Sequence, residues 1–214
     1  MSTTPLTDAI NALTQYANET TGASDTTLSA AVGTLVAGYG GGGGWTTDGI
    51  ATNAEPSGDI VLGNIAVGDY ALAYKSAITS LSGGVTAVGA YAFHYCSGLK
   101  SISFPSMTGQ FLQSAARDCR VLEFADLGSC SQINSSAFQN AMSLTVVVLR
   151  GSSVCRLQNA NALVNTPIRG YNSGSGTIYV PSALISSYQT TSPWSTIYNE
   201  GHCTFVAIEG SQYE

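Results

Sequence analysis

The chain has 214 residues, enough for one globular domain with a small appendage or for one elongated repeat domain. Only 9% of the residues are charged, against about 25% in an average soluble domain, and 27 Ser, 22 Thr and 24 Gly occupy much of the remainder. A net charge of −6, with cations only at Lys75, Lys100, Arg117, Arg120, Arg150, Arg156 and Arg169, leaves no basic stripe; this excludes a nucleic-acid partner and an anionic membrane surface.

No stretch approaches the roughly 18 consecutive apolar residues of a transmembrane helix. The opening MSTTPLTDAINALTQYANET has neither a basic start nor an apolar run, so no export signal is expected. Without export, Cys96, Cys119, Cys130, Cys155 and Cys203 are expected to be reduced and structural.

Residues 5–37 read as helical. Leu6, Ile10, Leu13 and Ala17 fall at helical spacing, as do Leu28, Ala31, Val32, Leu35 and Val36. Thr7-Asp8 and Ser24-Asp25 supply caps and first-turn acid, with a turn between Asn18 and Gly22. The apolar faces of this short helical hairpin, or single broken helix, suit self-association, docking on a partner, or packing back on the downstream domain. Gly40–Gly44 then form a flexible hinge. The string GYGGGG satisfies the dinucleotide pattern G-x-G-x-x-G, but any polyglycine does, and no strand precedes it or helix follows.

From about residue 60 the chain repeats. Ala92-Phe93 recurs as Ala71-Leu72, Ala115-Ala116 and Ala137-Phe138, at spacings of 21, 23 and 22 residues. Three residues on stand Lys75, Cys96, Cys119 and Ala141, and three further on the aliphatics Ile78, Leu99, Leu122 and Leu144. An alternating strand follows: Leu99-x-x-Ile102-x-Phe104, Leu122-x-x-Ala125-x-Leu127, Leu144-x-x-Val147-x-Leu149, with a degenerate copy at Ile178-x-Val180-Pro181. Second strand signals precede the Ala-Phe pairs at Ile65/Val67, Val85/Val88 and Ile133. Such a unit is too small for its own core and must stack on its neighbours. The period therefore predicts a β-rich solenoid of about five coils of 21–23 residues, with short parallel strands. The expected divisions are a helical attachment or oligomerisation segment at 1–39, the hinge at 40–44, the solenoid at 45–176 and a strand/helix cap at 177–214.

The unit I-G-x-x-A-F-x-x-C-x-x-L-x-x-I-x-I-P resembles the BspA-like leucine-rich repeat of bacteria and bacteriophages. VTAVGAYAFHYCSGLKSISFP (85–105) and QINSSAFQNAMSLTVVVL (132–149) carry it best. The ending TIYVPSALISSYQTTSPWSTIYNEGHCTFVAIE resembles the C-terminal cap of such arrays in phage structural proteins, and the helical segment with its glycine hinge resembles their virion-attachment part. The resemblance implies a non-enzymatic structural or recognition protein of a phage tail, fibre or baseplate, located in the virion. The alternative is a bacterial leucine-rich-repeat adhesin or interaction protein, in the cytoplasm or at the cell surface. The partners implied are a protein or a surface glycan, with other virion proteins or a second copy engaged through the N-terminal helices.

Catalytic signatures are weak. His94 holds a variable repeat position and is expected to face solvent or a groove, whereas Cys96 holds a position filled by Cys119 and Ala141 in other copies and reads as core. There is no Gly-x-Ser-x-Gly elbow, no Cys-x₂-Cys and no His-Glu-x-x-His. Asp118, Glu123 and Asp126 form the one acidic cluster, accompanied by Arg117 and Arg120. No cofactor or metal is expected. Two surfaces suit binding. Outward strand positions align as Ser101, Phe124, Val146 and as Ser103, Asp126, Val148, Tyr179. Phe124, Val146, Val148 and Tyr179 make this stripe apolar, and it is either an interface or lies under a C-terminal segment bearing Trp194 and Phe205. A neighbouring turn edge offers Tyr91, His94 and Tyr95 to a sugar or a protein loop.

Overall fold

The computed structural model describes residues 56–214. The helical segment expected at 5–37 and the hinge at 40–44 lie outside these residues. Each coil carries one longer and one shorter strand. The longer strands are β1 (Gly58–Leu62), β3 (Ile78–Gly83), β5 (Ser101–Ser103), β7 (Phe124–Asp126) and β9 (Val146–Val148). The shorter ones are β2 (Ala66–Val67), β4 (Ala87–Val88), β6 (Gln110–Phe111), β8 (Gln132–Ile133) and β10 (Arg156–Leu157). The first set continues through β11 (Gly176–Val180) and β12 (Cys203–Ala207) into a seven-stranded sheet, ordered β1-β3-β5-β7-β9-β11-β12; the second makes a five-stranded sheet. Every pairing is parallel. This is the solenoid that the period predicts, with about five turns.

The register also agrees with the sequence. Leu81, Ile102, Ala125, Val147 and Ile178 are partners in one inward row, flanked by Ser101-Phe124-Val146 and by Ser103-Asp126-Val148-Tyr179. Ala92, Phe93, Cys96, Leu99, Ile102, Phe104, Phe138, Leu144, Val147 and Leu149 are all buried. The third coil places Ala116 where its neighbours place Phe93 and Phe138. Phe111, at a site held by Val88 and Ile133 in adjacent coils, supplies the missing volume. Its ring stacks on Phe138 at 4.8 Å and meets Phe93 at 6.4 Å. Native packing density leaves no room for an unfilled ring-sized gap, so the exchange of positions keeps the core continuous.

In the first four coils, between the short strand and the next long one, the chain turns through two residues in the left-handed region. These pairs are Tyr70 and Tyr74, Tyr91 and Tyr95, Ser114 and Asp118, and Ser136 and Asn140, with φ between 53 and 64°. The turn backbones are laddered coil to coil: Tyr91, Phe93 and Tyr95 donate their amides to the carbonyls of Gln113, Ala115 and Arg117. Tyr70, Leu72 and Tyr74 donate likewise to Ala90, Ala92 and His94. The turns are therefore hydrogen-bonded from coil to coil, as the strands are.

The C-terminal end is closed by α1 (Ile185–Thr190), α2 (Trp194–Asn199) and β12. Tyr188, Trp194 and Phe205 pack on one another with ring centroids 5.4–6.1 Å apart. Two hydrogen bonds seat this cluster on the last coil. The Cys155 amide donates to the Tyr188 hydroxyl (2.8 Å), and the Trp194 indole N–H donates to the Cys155 carbonyl (2.6 Å).

Candidate recognition surface

The strand stripe is engaged by the chain's own tail. Tyr213 places its ring 5.4 Å from Phe124 and 4.7 Å from Tyr179, on strands that flank β9 on either side. The tail is held in a tight turn, with the Ser211 amide on the Ile208 carbonyl and the Gly210 amide on the Glu214 carboxylate. Val148, expected on the outward stripe, is fully buried, while Phe124, Val146 and Tyr179 are half-buried. The same row closes further at Asp126, where Arg150 binds the carboxylate through Nε (3.1 Å) and Nη2 (2.8 Å) and the Gly128 amide adds a third donor. The cover thus comes from the C-terminal segment, one of the two expectations, but through Tyr213; Trp194 and Phe205 lie inside the cap.

The turn edge is different. Five large apolar or aromatic side chains are exposed among the described residues, and three of them are Tyr70 (53%), Tyr74 (65%) and Tyr95 (42%). Tyr70 stacks on Tyr91 at 4.9 Å with 4° between the planes, and Tyr74 stacks on Tyr95 at 5.6 Å and 7°. His94 stands edge-on to Tyr74, Tyr91 and Tyr95, at 5.5, 5.5 and 4.6 Å. The result is a two-by-two array of phenols around an imidazole. The sequence expectation placed His94 toward solvent or a groove; it is instead about nine-tenths buried among these rings, and its Nδ1 has no hydrogen-bond partner. Burial also holds its pKa below the ordinary 6.5, so the ring is neutral at neutral pH.

What sets these tyrosines apart is their backbone. In later coils the same left-handed sites hold Ser114, Asp118, Ser136, Asn140 and Asn165. Short polar side chains tolerate this conformation, and here they also join across coils: Asn140 donates to Asp118 and Asn165 to Asn140, each at 2.8 Å. A bulky side chain pays about 1–2 kcal/mol there. The ring stacks and the edge contacts with His94, each worth about 0.5–1.5 kcal/mol, roughly offset that cost. Stability therefore gives no preference for four left-handed tyrosines over the short polar side chains of the later coils, and three of the four are exposed. Sparsely populated backbone conformations of this sort cluster at functional sites.

Nucleophilic chemistry finds no support around this edge. The Cys96 thiol donates to the Leu72 carbonyl and is pushed up to about 11 by burial; Cys119 donates to the Phe93 carbonyl and is likewise pushed well up. Neither is a thiolate at neutral pH, so Cys96 and His94 do not constitute an activated pair. Asp118 is taken up by Asn140 and lies 3.3 Å from Arg117 Nε, and Asp126 is committed to Arg150, so the acidic cluster has no free pair of carboxylates facing a cleft.

Residues 65–189 match the BspA type leucine rich repeat region in six copies. No curated protein matches the chain. Among solved structures, the crystal structure of the T. pallidum leucine rich repeat protein is similar at 20% identity, over 56% of this chain and 57% of that one, with a TM-score of 0.47. The chain thus spans a little over half the length of that protein. With its family match running through more than half of the sequence and its coils stacked in parallel, the chain belongs to the BspA-type leucine-rich repeat family.

Proposed function

We propose that this protein is a non-enzymatic recognition protein that holds a protein partner on the tyrosine edge of its first two coils. The observation that carries this is the placing of Tyr70, Tyr74, Tyr91 and Tyr95 at left-handed sites that later coils give to Ser, Asp and Asn. Tyrosine supplies large, rigid, amphipathic contact area and is enriched at interface cores. A protein is favoured over a glycan because a sugar stacks on ring faces. Here one face of each ring is already turned on its partner in the stack. The orphan His94 Nδ1 beneath them offers one buried polar anchor.

The test compares the protein with a quadruple variant, Y70S/Y74N/Y91S/Y95N, which gives the first two coils the side chains of the later ones. A displayed random-peptide library and an immobilised glycan array serve as probes. Peptides that bind the parent and lose at least tenfold in affinity on the folded variant support the proposal. Ligands retained by the variant overturn it, and glycans lost by the variant replace the protein partner with a saccharide.

A virion setting is a narrower form of the same reading. It rests on the order of segments in the sequence: apolar positions at helical spacing in 1–39, five glycines, then the repeats, an order that resembles virion-attached phage proteins. In that setting residues 1–39 attach the protein to other virion proteins or to a second copy. Mass spectrometry of purified particles from the host culture tests it: peptides of this chain in the particles support it, and their confinement to cells favours a bacterial adhesin.

A further inference from the structure

Five cysteines occupy the core, but they are not equivalent. Cys96 and Cys119, the pair that the repeat period aligns, each give their thiol to a backbone carbonyl of the preceding coil, at 3.0 Å. Cys130 and Cys155 give theirs to carbonyls of their own segment, Gln132 at 3.3 Å and Arg156 at 3.8 Å. They lie just before β8 and β10, which pair Gln132 with Arg156, so the two cysteines are one residue out of register on adjacent coils. A strand spacing of about 4.8 Å with a one-residue offset of about 3.3 Å puts their α-carbons about 6 Å apart, at the usual separation for a disulfide. The two thiols lie within hydrogen-bonding reach of each other.

We propose that Cys130 and Cys155 are a reversible thiol–disulfide pair, which closes under a low-molecular-weight disulfide and ties the fourth coil to the residue that seats the C-terminal cap. Cys155 is the residue whose amide and carbonyl hold Tyr188 and Trp194. The shared hydrogen bond lowers the pKa of one thiol and raises the other, so the pair surrenders its first proton more readily than buried Cys119 or Cys203. With oxidised glutathione as the oxidant, the Cys130 thiolate attacks one of its sulfurs and releases one glutathione thiol. The Cys155 sulfur, losing its proton to solvent, then attacks the mixed disulfide and releases the second. One glutathione disulfide is reduced to two thiols while two protein thiols become one disulfide.

The experiment treats the native, fully reduced protein with oxidised glutathione, quenches with an alkylating agent in denaturant, and maps tryptic peptides. The expected product links the peptide 121–150 to 151–156, leaves Cys96, Cys119 and Cys203 alkylated, and reverts with dithiothreitol. Its melting temperature rises by roughly 5–10 °C, since a cross-link closing a loop of this length restricts the unfolded chain. In C155S the reaction should stop at a glutathione adduct on Cys130, and in C130S no linked peptide should form. A Cys96–Cys119 link, a scrambled set of links, or native protein that stays reduced while the same protein in denaturant oxidises, would overturn the proposal.

Discussion

Tyr95→Asn separates recognition from stability. At this site φ is 56°, and the equivalent sites in later coils hold Asn140 at 62° and Asn165 at 58°. The exchange relieves about 1–2 kcal/mol of left-handed strain in a bulky residue. Against that, the Tyr74–Tyr95 stack and the edge contact with His94 are lost, together worth about 0.5–1.5 kcal/mol per ring pair. The new amide stands next in line to Asp118, which already accepts from Asn140, and a further hydrogen bond adds about 0.5–1.5 kcal/mol. The contributions nearly cancel, so the net change should fall within about 1 kcal/mol of zero, or roughly 2–4 °C in melting temperature for a chain of this size. Urea unfolding and calorimetry on the parent and the variant measure it. A destabilisation beyond about 3 kcal/mol would refute the reasoning, because it would make Tyr95 a structural residue and remove the argument that stability does not select it.

Other perturbations should behave unlike that one. Phe138→Ala empties a buried site and strips Phe111 of its stacking partner, so chemical denaturation should show a loss of about 3–5 kcal/mol. Val148→Ser should lower stability by about 1.5–3 kcal/mol, since the side chain is fully buried beside the Tyr213 cover, while Val146→Ser should change little. His94 has a folded pKa below its unfolded value, so its contribution is fully present above about pH 6.5 and is lost as pH falls from there through the folded value. Denaturation midpoints between pH 7.5 and 5 should therefore drop in the parent and drop less in His94→Gln; equal slopes would contradict the burial of a neutral ring.

The coil architecture was legible because every coil makes the same demand. Inward positions recur at the period, which gives both the core and the strand register, down to the partners of Phe124 and Tyr179. Features that break the period were not legible. Phe111 entered the core because Ala116 left a space, a compensation between two positions that no single-site pattern reveals. Val148 is buried in a row whose neighbouring rings are joined by Tyr213, a residue outside the repeat, so alternation along β9 could not report it. The left-handed tyrosines did leave a signal. Aligning the copies puts Tyr91 and Tyr95 opposite Ser114, Asp118, Ser136 and Asn140, residues that favour this backbone, and that contrast alone marks the edge. The Cys130–Cys155 spacing of 25 residues also hints at adjacent coils, but contact between their thiols depends on a one-residue offset that spacing alone does not reveal.

Tyrosine-selective footprinting of a ligand complex tests the central claim most directly. Iodination of the free protein should label Tyr70, Tyr74 and Tyr95, which are exposed, and spare Tyr188, which is buried. With a peptide selected on the parent protein bound at saturation, the account predicts that labelling of Tyr70, Tyr74 and Tyr95 falls severalfold while Tyr179 and Tyr213 keep their level. Protection of Tyr179 and Tyr213 with continued labelling of Tyr70, Tyr74 and Tyr95 would contradict it, moving the binding face to the strand stripe that Tyr213 covers.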